Sequence, residues 1–366
     1  MKIALLTLQY DNNYGGNLQR FALMTILQKL GHDVTDLHLI FRFFPDSKIQ
    51  YLKNIFFRIF QRIKIRKPIE VFVERHNYQR YINSCRNTSS FFYRYIKHSK
   101  AISSPKQLNR YINFDAFVVG SDQVWRKKFT CIYGIDTFFF NFLPPHKTNR
   151  IAYGVSFGSD EKELSAEDIT RLTVHFNSFK KVSVREESAI QLLKEYKWDN
   201  KNAEVVLDPT LLLSAEDYNK IILENETQEL PGNVFCYILD SNEEKKIFIS
   251  NYCAEHQKKA FYCSLGTISI PQWLKSFKDS DFIITDSYHG VIFALIYNKP
   301  FRLFSNEFRG NTRFSSLESL LSLKFNQENY NWPEINSKIS TLKEKSISFL
   351  RESFNEIPIS TTMAEH

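Results

Sequence analysis

A chain of 366 residues is too long for one comfortable core, and 24% charged with 43% hydrophobic residues is the balance of a soluble globular protein, so two domains are expected. Five cysteines, odd in number and without C-x-x-C spacing, exclude a disulfide framework and a zinc site. No stretch approaches the ~18 uninterrupted apolar residues of a membrane span, and the net charge of +8 is unevenly spread.

The chain opens on KIALLTL (2–8), which reads as a strand, since no small-residue cleavage site follows the apolar run. A reduced, cytoplasmic protein is expected. A loop with Gly15 and Gly16 leads to an amphipathic helix from about Leu18 to Leu30, ended by Gly31 as a C′ glycine. A second strand, DVTDLHL, completes a β-loop-α-β opening, the signature of a doubly wound parallel sheet.

Residues 45–100 interrupt this pattern as a basic insertion. Within it LKNIFFRIFQRIKIRK (52–67) carries Lys53, Arg58, Arg62, Lys64, Arg66 and Lys67 without an acid. Leu52, Ile55, Phe56, Ile59, Phe60 and Ile63 recur at helical spacing. Two readings stand: a peripheral helix packed on its own domain, the commoner fate of such a stripe, or a helix lying on an anionic membrane. Nucleic acid is not expected as a partner, because no module that binds it is recognisable.

The strand pattern resumes with DAFVVGSDQVW and RIAYGVSFG, then KVSVREESAIQLLKEY and AEVVLDPTLLL. NVFCYILD, KAFYCSL and DFIITDS are further strands with helices between them, followed by LESLLSL and a final charged helix at about 336–354. The expected division is 1–175, 176–335, and a C-terminal helix and tail, 336–366. Two α/β domains facing each other would bring the carboxyl ends of both sheets to one cleft, where open parallel sheets bind ligands.

Candidate residues gather at those strand ends. Asn13, Tyr14, Gly15, Gly16, Asn17 and Gln19 precede or open the first helix, and two glycines before a helix N-terminus suit an anion or a sugar. The spacing is not G-x-G-x-x-G, so a dinucleotide is not supported. Gly120, Ser121, Asp122 and Gln123 end another strand; Asp122 is either an acceptor or base at a sugar hydroxyl, or a turn-stabilising Asx residue. Asp208, before Pro209, reads as a turn or helix cap.

The stretch TDSYHGVIFAL sets Asp286, Ser287, His289 and Gly290 between a strand and a helix. His289 is either an acid or a structural hydrogen-bonder. Asp286 either orients His289, as a triad carboxylate does, or caps the helix. Ser287 reads as the cap, and Gly290 lets the backbone pass close to a ligand or a neighbour. The nine histidines are scattered, so no metal is expected, and there is neither a Walker loop nor a G-x-S-x-G elbow.

In order, YDNNYGGNLQ, FVVGSDQVW, AYGVSFG, SVREESA, VLDPT and TDSYHGVIFAL resemble the polysaccharide pyruvyl transferases, over residues 1 to about 323. The resemblance implies two Rossmann-like, doubly wound domains in a GT-B-like arrangement with an interdomain cleft. It also implies transfer of the pyruvyl group of phosphoenolpyruvate to a sugar hydroxyl pair, as a ketal on a cell-surface polysaccharide. Such a reaction needs an acid near the donor and cations or helix N-termini for its phosphate and carboxylate.

On this basis the C-terminal domain supplies the donor site, with His289, Arg185, Ser287, Gly290 and Arg313, and with Asp286 and Asp122 as further catalytic candidates. The N-terminal domain supplies the acceptor site, with Asn13, Tyr14, Gly15, Gly16, Asn17, Gln19 and Ser121. Phosphoenolpyruvate is a co-substrate and no cofactor is implied. An acceptor sugar on a lipid-linked oligosaccharide would bring the protein to the inner membrane face.

One position departs from the family, whose members carry an arginine two residues before the histidine. Here Ser287 stands there, and a serine supplies no permanently charged fork. Arg185 matches the family arginine after a strand. Arg313 is the expected second cation, with Arg309 and Lys299 behind it; the other reading of Arg313 is a surface residue near a helix start. The departure keeps two alternatives open: a GT-B glycosyltransferase using a nucleotide sugar, and a non-catalytic glycan-binding relative.

Overall fold

The computed structural model describes all residues except 46, 67, 145, 146, 148, 305–311 and 355–366. The chain begins β1 (Lys2–Leu6), α1 (Tyr14–Lys29), β2 (Asp33–Asp36), and then the insertion helices α2 (Lys48–Ile65) and α3 (Val73–Tyr95). It continues with β3 (Ala116–Asp122), α4 (Lys127–Thr130), β4 (Arg150–Val155), α5 (Ala166–Phe176), β5 (Lys181–Val184), α6 (Glu187–Glu195) and β6 (Glu204–Val205). These six strands form one parallel sheet in the order β2-β1-β3-β4-β5-β6.

The second half runs α7 (Ala215–Leu223), β7 (Val234–Tyr237), α8 (Glu243–Glu255), β8 (Ala260–Cys263), α9 (Ile270–Asp279), β9 (Phe282–Thr285), α10 (Tyr288–Ile296), β10 (Phe301–Leu303), α11 (Thr312–Leu321) and α12 (Trp332–Phe354). Its four strands form a second parallel sheet, β10-β9-β7-β8. The fold is α/β, with two Rossmann-like domains in a GT-B-like pair. Central strands such as β4 are buried along their whole length, because helices cover both faces of a parallel sheet.

The boundary expected at 175/176 moves. β5 and β6 pair into the first sheet, and the chain changes sheet only between Val205 and Val234. Arg185, just past β5, therefore stands on the N-terminal sheet. The C-terminal helix is no separate unit either. α12 returns to the first domain, where the Leu207 amide donates to Ser346 Oγ at 3.0 Å and Phe349 packs 6.2 Å from the Tyr153 ring.

α1 also differs. It begins at Tyr14 with Asn13 as its N-cap, Asn13 Oδ1 accepting from the Gly16 amide at 3.3 Å. The two glycines thus lie inside the first turn rather than ahead of it. At the other end Gly31 has φ +87°, the left-handed conformation of a C′ glycine.

Candidate active site

A cavity of about 350 Å³ opens where the carboxyl ends of the two sheets meet. The first sheet contributes the end of β3, Ser121 and Asp122, and residues that follow β1 and β3, including Asp11, Asn13 and Gln123. The second contributes the residues after β7 and β9, and α11 adds Arg313 and Phe314. Of the expected residues Asn13, Gly16, Asn17, Gln19, Ser121, Asp122, Asp286, Ser287, His289 and Arg313 line the cavity.

His289 sits in the first turn of α10, and its ring lies against the backbone of α1. A Cβ on Gly15 would overlap the imidazole Nδ1 and Cγ and stand 2.5 Å from Cε1. Gly15 therefore acts as a floor for the histidine. On the other side Gly290 lets α10 close on β9, since a Cβ there would overlap Thr285 Oγ1 and lie 2.8 Å from Thr285 Cβ.

The carboxylate beside His289 is that of Asp208, 3.8 Å from Nε2. Asp208 does cap the turn at Pro209–Leu212: Oδ1 accepts from the Thr210 amide at 3.0 Å and hydroxyl at 2.6 Å. Its other oxygen, Oδ2, accepts from Arg185 Nη1 at 2.7 Å and Gln19 Nε2 at 2.6 Å. One buried carboxylate thus joins α1, the end of β5 and α10, in addition to the capping role that its sequence suggests.

Asp286 is not the orienting carboxylate. It accepts from the Leu239 and Asp240 amides at 2.7 and 3.0 Å and from Lys245 Nζ at 2.7 Å, which fixes the loop after β7. Nor does Ser287 cap α10 with its side chain; its amide instead donates to Thr285 Oγ1 at 3.1 Å. Tyr14 leaves the acceptor side altogether. Its ring stacks on Trp273 at 5.2 Å and its hydroxyl bonds Ile268 across the domain junction.

Arg185 is 2% exposed and stands one layer behind the cavity wall. Its guanidinium lies 4.9 Å from the Tyr288 ring centroid, with Asp122 Oδ1 3.8 Å from Nη2 and Glu186 Oε2 3.8 Å from Nε. Neither Nε nor Nη2 has a hydrogen-bond partner among the described residues, so part of this buried fork remains unsatisfied. Arg313 reaches the same Tyr288 ring, 5.3 Å from its centroid. Lys299 takes no part in the cavity, and Arg309 lies outside the described residues.

Burial dominates the protonation of the imidazole. It pushes His289 down to about 4; Asp208 pulls upward and Arg185 downward, so the ring is neutral near pH 7. For Asp208 burial acts upward, but Arg185 and His289 outweigh it and the carboxyl is held below its ordinary value. Asp11, which no sequence argument singled out, is raised by burial to about 6, with Asp122 adding to the shift. It lines the cavity and accepts from the Asn13 amide at 2.9 Å. Arg20, Arg126 and Lys128 also line the cavity, and sequence reasoning missed all three. Their only signal is position, since Arg20 lies one helical turn beyond Gly16 and the other two follow Gln123.

Arg20 is neutralised by the buried Asp36 at 2.9 Å, and Arg126 by Glu163 at 2.8 Å. Asp122, which has φ +72°, is held in a left-handed conformation uncommon for a non-glycine residue, on the cavity wall. Among the described residues no group of three histidine, cysteine or acidic side chains is placed to hold a metal ion.

Residues 13–307 match the family described as polysaccharide pyruvyl transferase. The chain belongs to that family. The match takes in every expected site residue except Arg313, which lies just beyond it.

Structural comparison finds the UDP-N-acetylglucosamine 2-epimerase of Rickettsia bellii at 10% identity and TM-score 0.46, covering 96% of each chain. The UDP-GlcNAc 2-epimerase of Neisseria meningitidis bound to UDP-GlcNAc gives 12% and 0.44, over 97% of this chain and 95% of the other. An alpha-glucosyltransferase in complex with UDP gives 8% and 0.43, over 96% and 94%. No curated protein matches the chain in a sequence comparison.

Proposed function

We propose that this family member transfers the pyruvyl group of phosphoenolpyruvate to two hydroxyls of one sugar in a cell-surface polysaccharide repeat unit, forming a ketal. The observation that carries this reading is the environment of His289: an imidazole on the cavity wall, in the first turn of a helix, with two guanidinium groups gathered on the adjacent Tyr288. That setting suits a small, highly anionic donor.

The reaction balances without a further reagent. The terminal methylene of the enol phosphate gains a proton and becomes the methyl group. One sugar hydroxyl adds to the central carbon, phosphate leaves, and the second hydroxyl closes the ketal. Of the two hydroxyl protons one replaces that delivered to the methyl carbon and the other leaves with phosphate.

In this reading His289 delivers the first proton, and its shift bears on how. With a pKa near 4 the ring itself is neutral near pH 7. A bound phosphate and carboxylate add negative charge beside it and raise its affinity for a proton, so the acid forms only when the donor is present. Asp208 Oδ2, 3.8 Å from Nε2 and beyond hydrogen-bond reach, stabilises the imidazolium through its charge. Asp11, near 6, and Asp122 are the carboxylates available to accept a proton from the attacking hydroxyl.

The test is incubation with phosphoenolpyruvate and a panel of galactosides and N-acetylhexosamines, scoring phosphate release and pyruvyl mass gain. Thermal stabilisation by phosphoenolpyruvate supports the proposal. Stabilisation by a nucleoside diphosphate instead, with no phosphate release, replaces it with glycosyl transfer. Glycan binding that survives His289→Ala, without turnover in either protein, replaces it with a binding role.

A further inference from the structure

Helix α2 is amphipathic in the inverted sense. Tyr51, Asn54, Ile55, Arg58 and Gln61 are its half-buried residues, and their three- and four-residue spacing makes one face, directed at the protein. That face is mostly polar. Arg58 fastens it to the start of α3, donating to Glu74 at 2.5 and 2.7 Å and to the Val71 carbonyl at 3.1 Å.

The opposite face is apolar and open, with Ile49, Phe56, Phe60 and Ile63 exposed to 67, 68, 63 and 71%. None of the 18 residues of α2, all of them described, is buried. A peripheral helix packed through its apolar stripe would show the reverse, so that expectation fails. The stripe is a continuous apolar patch of the kind that marks an interaction surface.

Charge decides what covers it. By helical spacing Lys53 and Lys64 border the stripe on one side, Lys48 and Arg62 on the other, and α2 contains no acid. A second copy of the same face would bring like charges together. An anionic bilayer offers both matches, hydrocarbon for the phenylalanines and headgroup phosphates for the flanking cations.

We propose that α2 docks the protein onto an anionic lipid surface, with Ile49, Phe56, Phe60 and Ile63 in the headgroup–acyl boundary. Among the described residues no helix is long and apolar enough to cross a membrane, so the contact is peripheral. α3 carries the contact to the cavity. From Val73, beside α2, it takes eight residues, about 12 Å, to reach Tyr81, whose hydroxyl donates to the Tyr10 carbonyl at 2.9 Å. Tyr10 belongs to the loop that supplies Asp11 and Asn13 to the cavity. Docking stands on α2 alone; its use, presenting a lipid-linked acceptor to the cleft, rests on the reaction proposed above.

The experiment is co-sedimentation of the full chain with phosphatidylcholine vesicles, with and without phosphatidylglycerol. Binding is expected only with the anionic lipid and is expected to weaken with salt. Two variants separate the terms: Phe56→Ser with Phe60→Ser, and Lys53→Glu with Arg62→Glu and Lys64→Glu. At about fivefold per basic residue the charge variant loses on the order of 100-fold in partitioning. All five positions are exposed, so folding, read by circular dichroism, is expected to persist.

Equal binding to both vesicle types, or binding untouched by either variant, overturns the proposal. So does a dimer in sedimentation velocity that Phe56→Ser with Phe60→Ser dissociates. Phosphate release with a soluble acceptor, measured on the same samples, keeps a failure of docking distinct from a failure of the reaction.

Discussion

Replacing Gly15 by alanine tests the position of His289 with a single carbon atom. The added Cβ would stand 2.5 Å from Cε1 and closer still to Nδ1 and Cγ, so the ring must retreat by about 1 Å or more to restore ordinary contact. Overpacking of this kind costs ~1–3 kcal/mol, and alanine in place of glycine in a helix returns up to ~1 kcal/mol. The net loss of stability is therefore about 0–3 kcal/mol, and the protein stays folded. A displacement of about 1 Å in a catalytic group costs roughly 100-fold in rate, so turnover falls far more than stability does. Gly16→Ala gives the stability comparison, since its Cβ meets nothing nearer than 3.9 Å. Two assays are needed: phosphate release from phosphoenolpyruvate with an acceptor, and the titration of His289 followed by NMR. The displaced ring regains water, so its pKa rises from about 4 toward the ordinary value near 6.5. Turnover within threefold of the parent, with an unchanged titration, would refute the reasoning.

Asp208→Asn leaves the buried Arg185 without its closest partner, and breaking such a pair costs ~3–5 kcal/mol; an unfolding free energy from urea denaturation lowered by less than about 1 kcal/mol would contradict the assignment of Asp208 as the hub. The same variant lowers the His289 pKa further, because the carboxylate that draws a proton to the ring is gone. Stability should depend on pH through His289. Its folded pKa of about 4 lies below the unfolded ~6.5, so roughly 3 kcal/mol is present above pH 6.5 and is lost as pH falls toward 4. His289→Gln should flatten that part of a stability profile, measured by denaturation across pH, and abolish turnover. Arg313→Ala should raise the KM for phosphoenolpyruvate about 10–100-fold, the value of a charged hydrogen bond, and an unchanged KM places the donor elsewhere.

Local signals in the sequence mostly report local structure faithfully, the missing Ser287 side-chain cap being an exception, and the other misreadings are of long range. Gly31 after a periodic helix and the apolar runs of β1, β3 and β9 are short-range features, and each stands where expected. From the sequence Gly15 and Gly16 are expected in a loop ahead of the first helix. The structure has them in the first turn of α1, capped by Asn13, with Gly15 beneath a histidine 274 residues away in sequence. Asp286 looked like a partner for His289 three residues on, yet it pairs with Lys245, 41 residues back. Asp208 shows the same division within one side chain. One oxygen makes the cap that Asp-Pro-Thr announces, and the other makes bonds to α1 and Arg185 that no window of sequence contains. Sheet order is likewise nonlocal, so KVSVREES looked like the start of a second domain although β5 is a strand of the first.

The serine at 287 can now be related to its surroundings. An arginine there would be a third guanidinium beside Tyr288, where Arg185 and Arg313 already lie 4.9 and 5.3 Å from the ring. For Arg313, burial lowers the affinity for a proton most and Arg185 adds to the effect, whereas for Arg185 burial is outweighed by Asp208 and the neighbouring acids, which hold it above its ordinary value. A third buried cation would add to that repulsion and drive the His289 pKa further down, against the direction an acid needs. Serine keeps the turn uncharged while α11 supplies the second cation from outside it. Ser287→Arg is therefore expected to weaken both folding and turnover unless Arg313 is removed with it. A double variant, Ser287→Arg with Arg313→Ala, that recovers phosphoenolpyruvate-dependent phosphate release would show that the two positions share one charge. A double variant no better than Ser287→Arg alone would show that they do not.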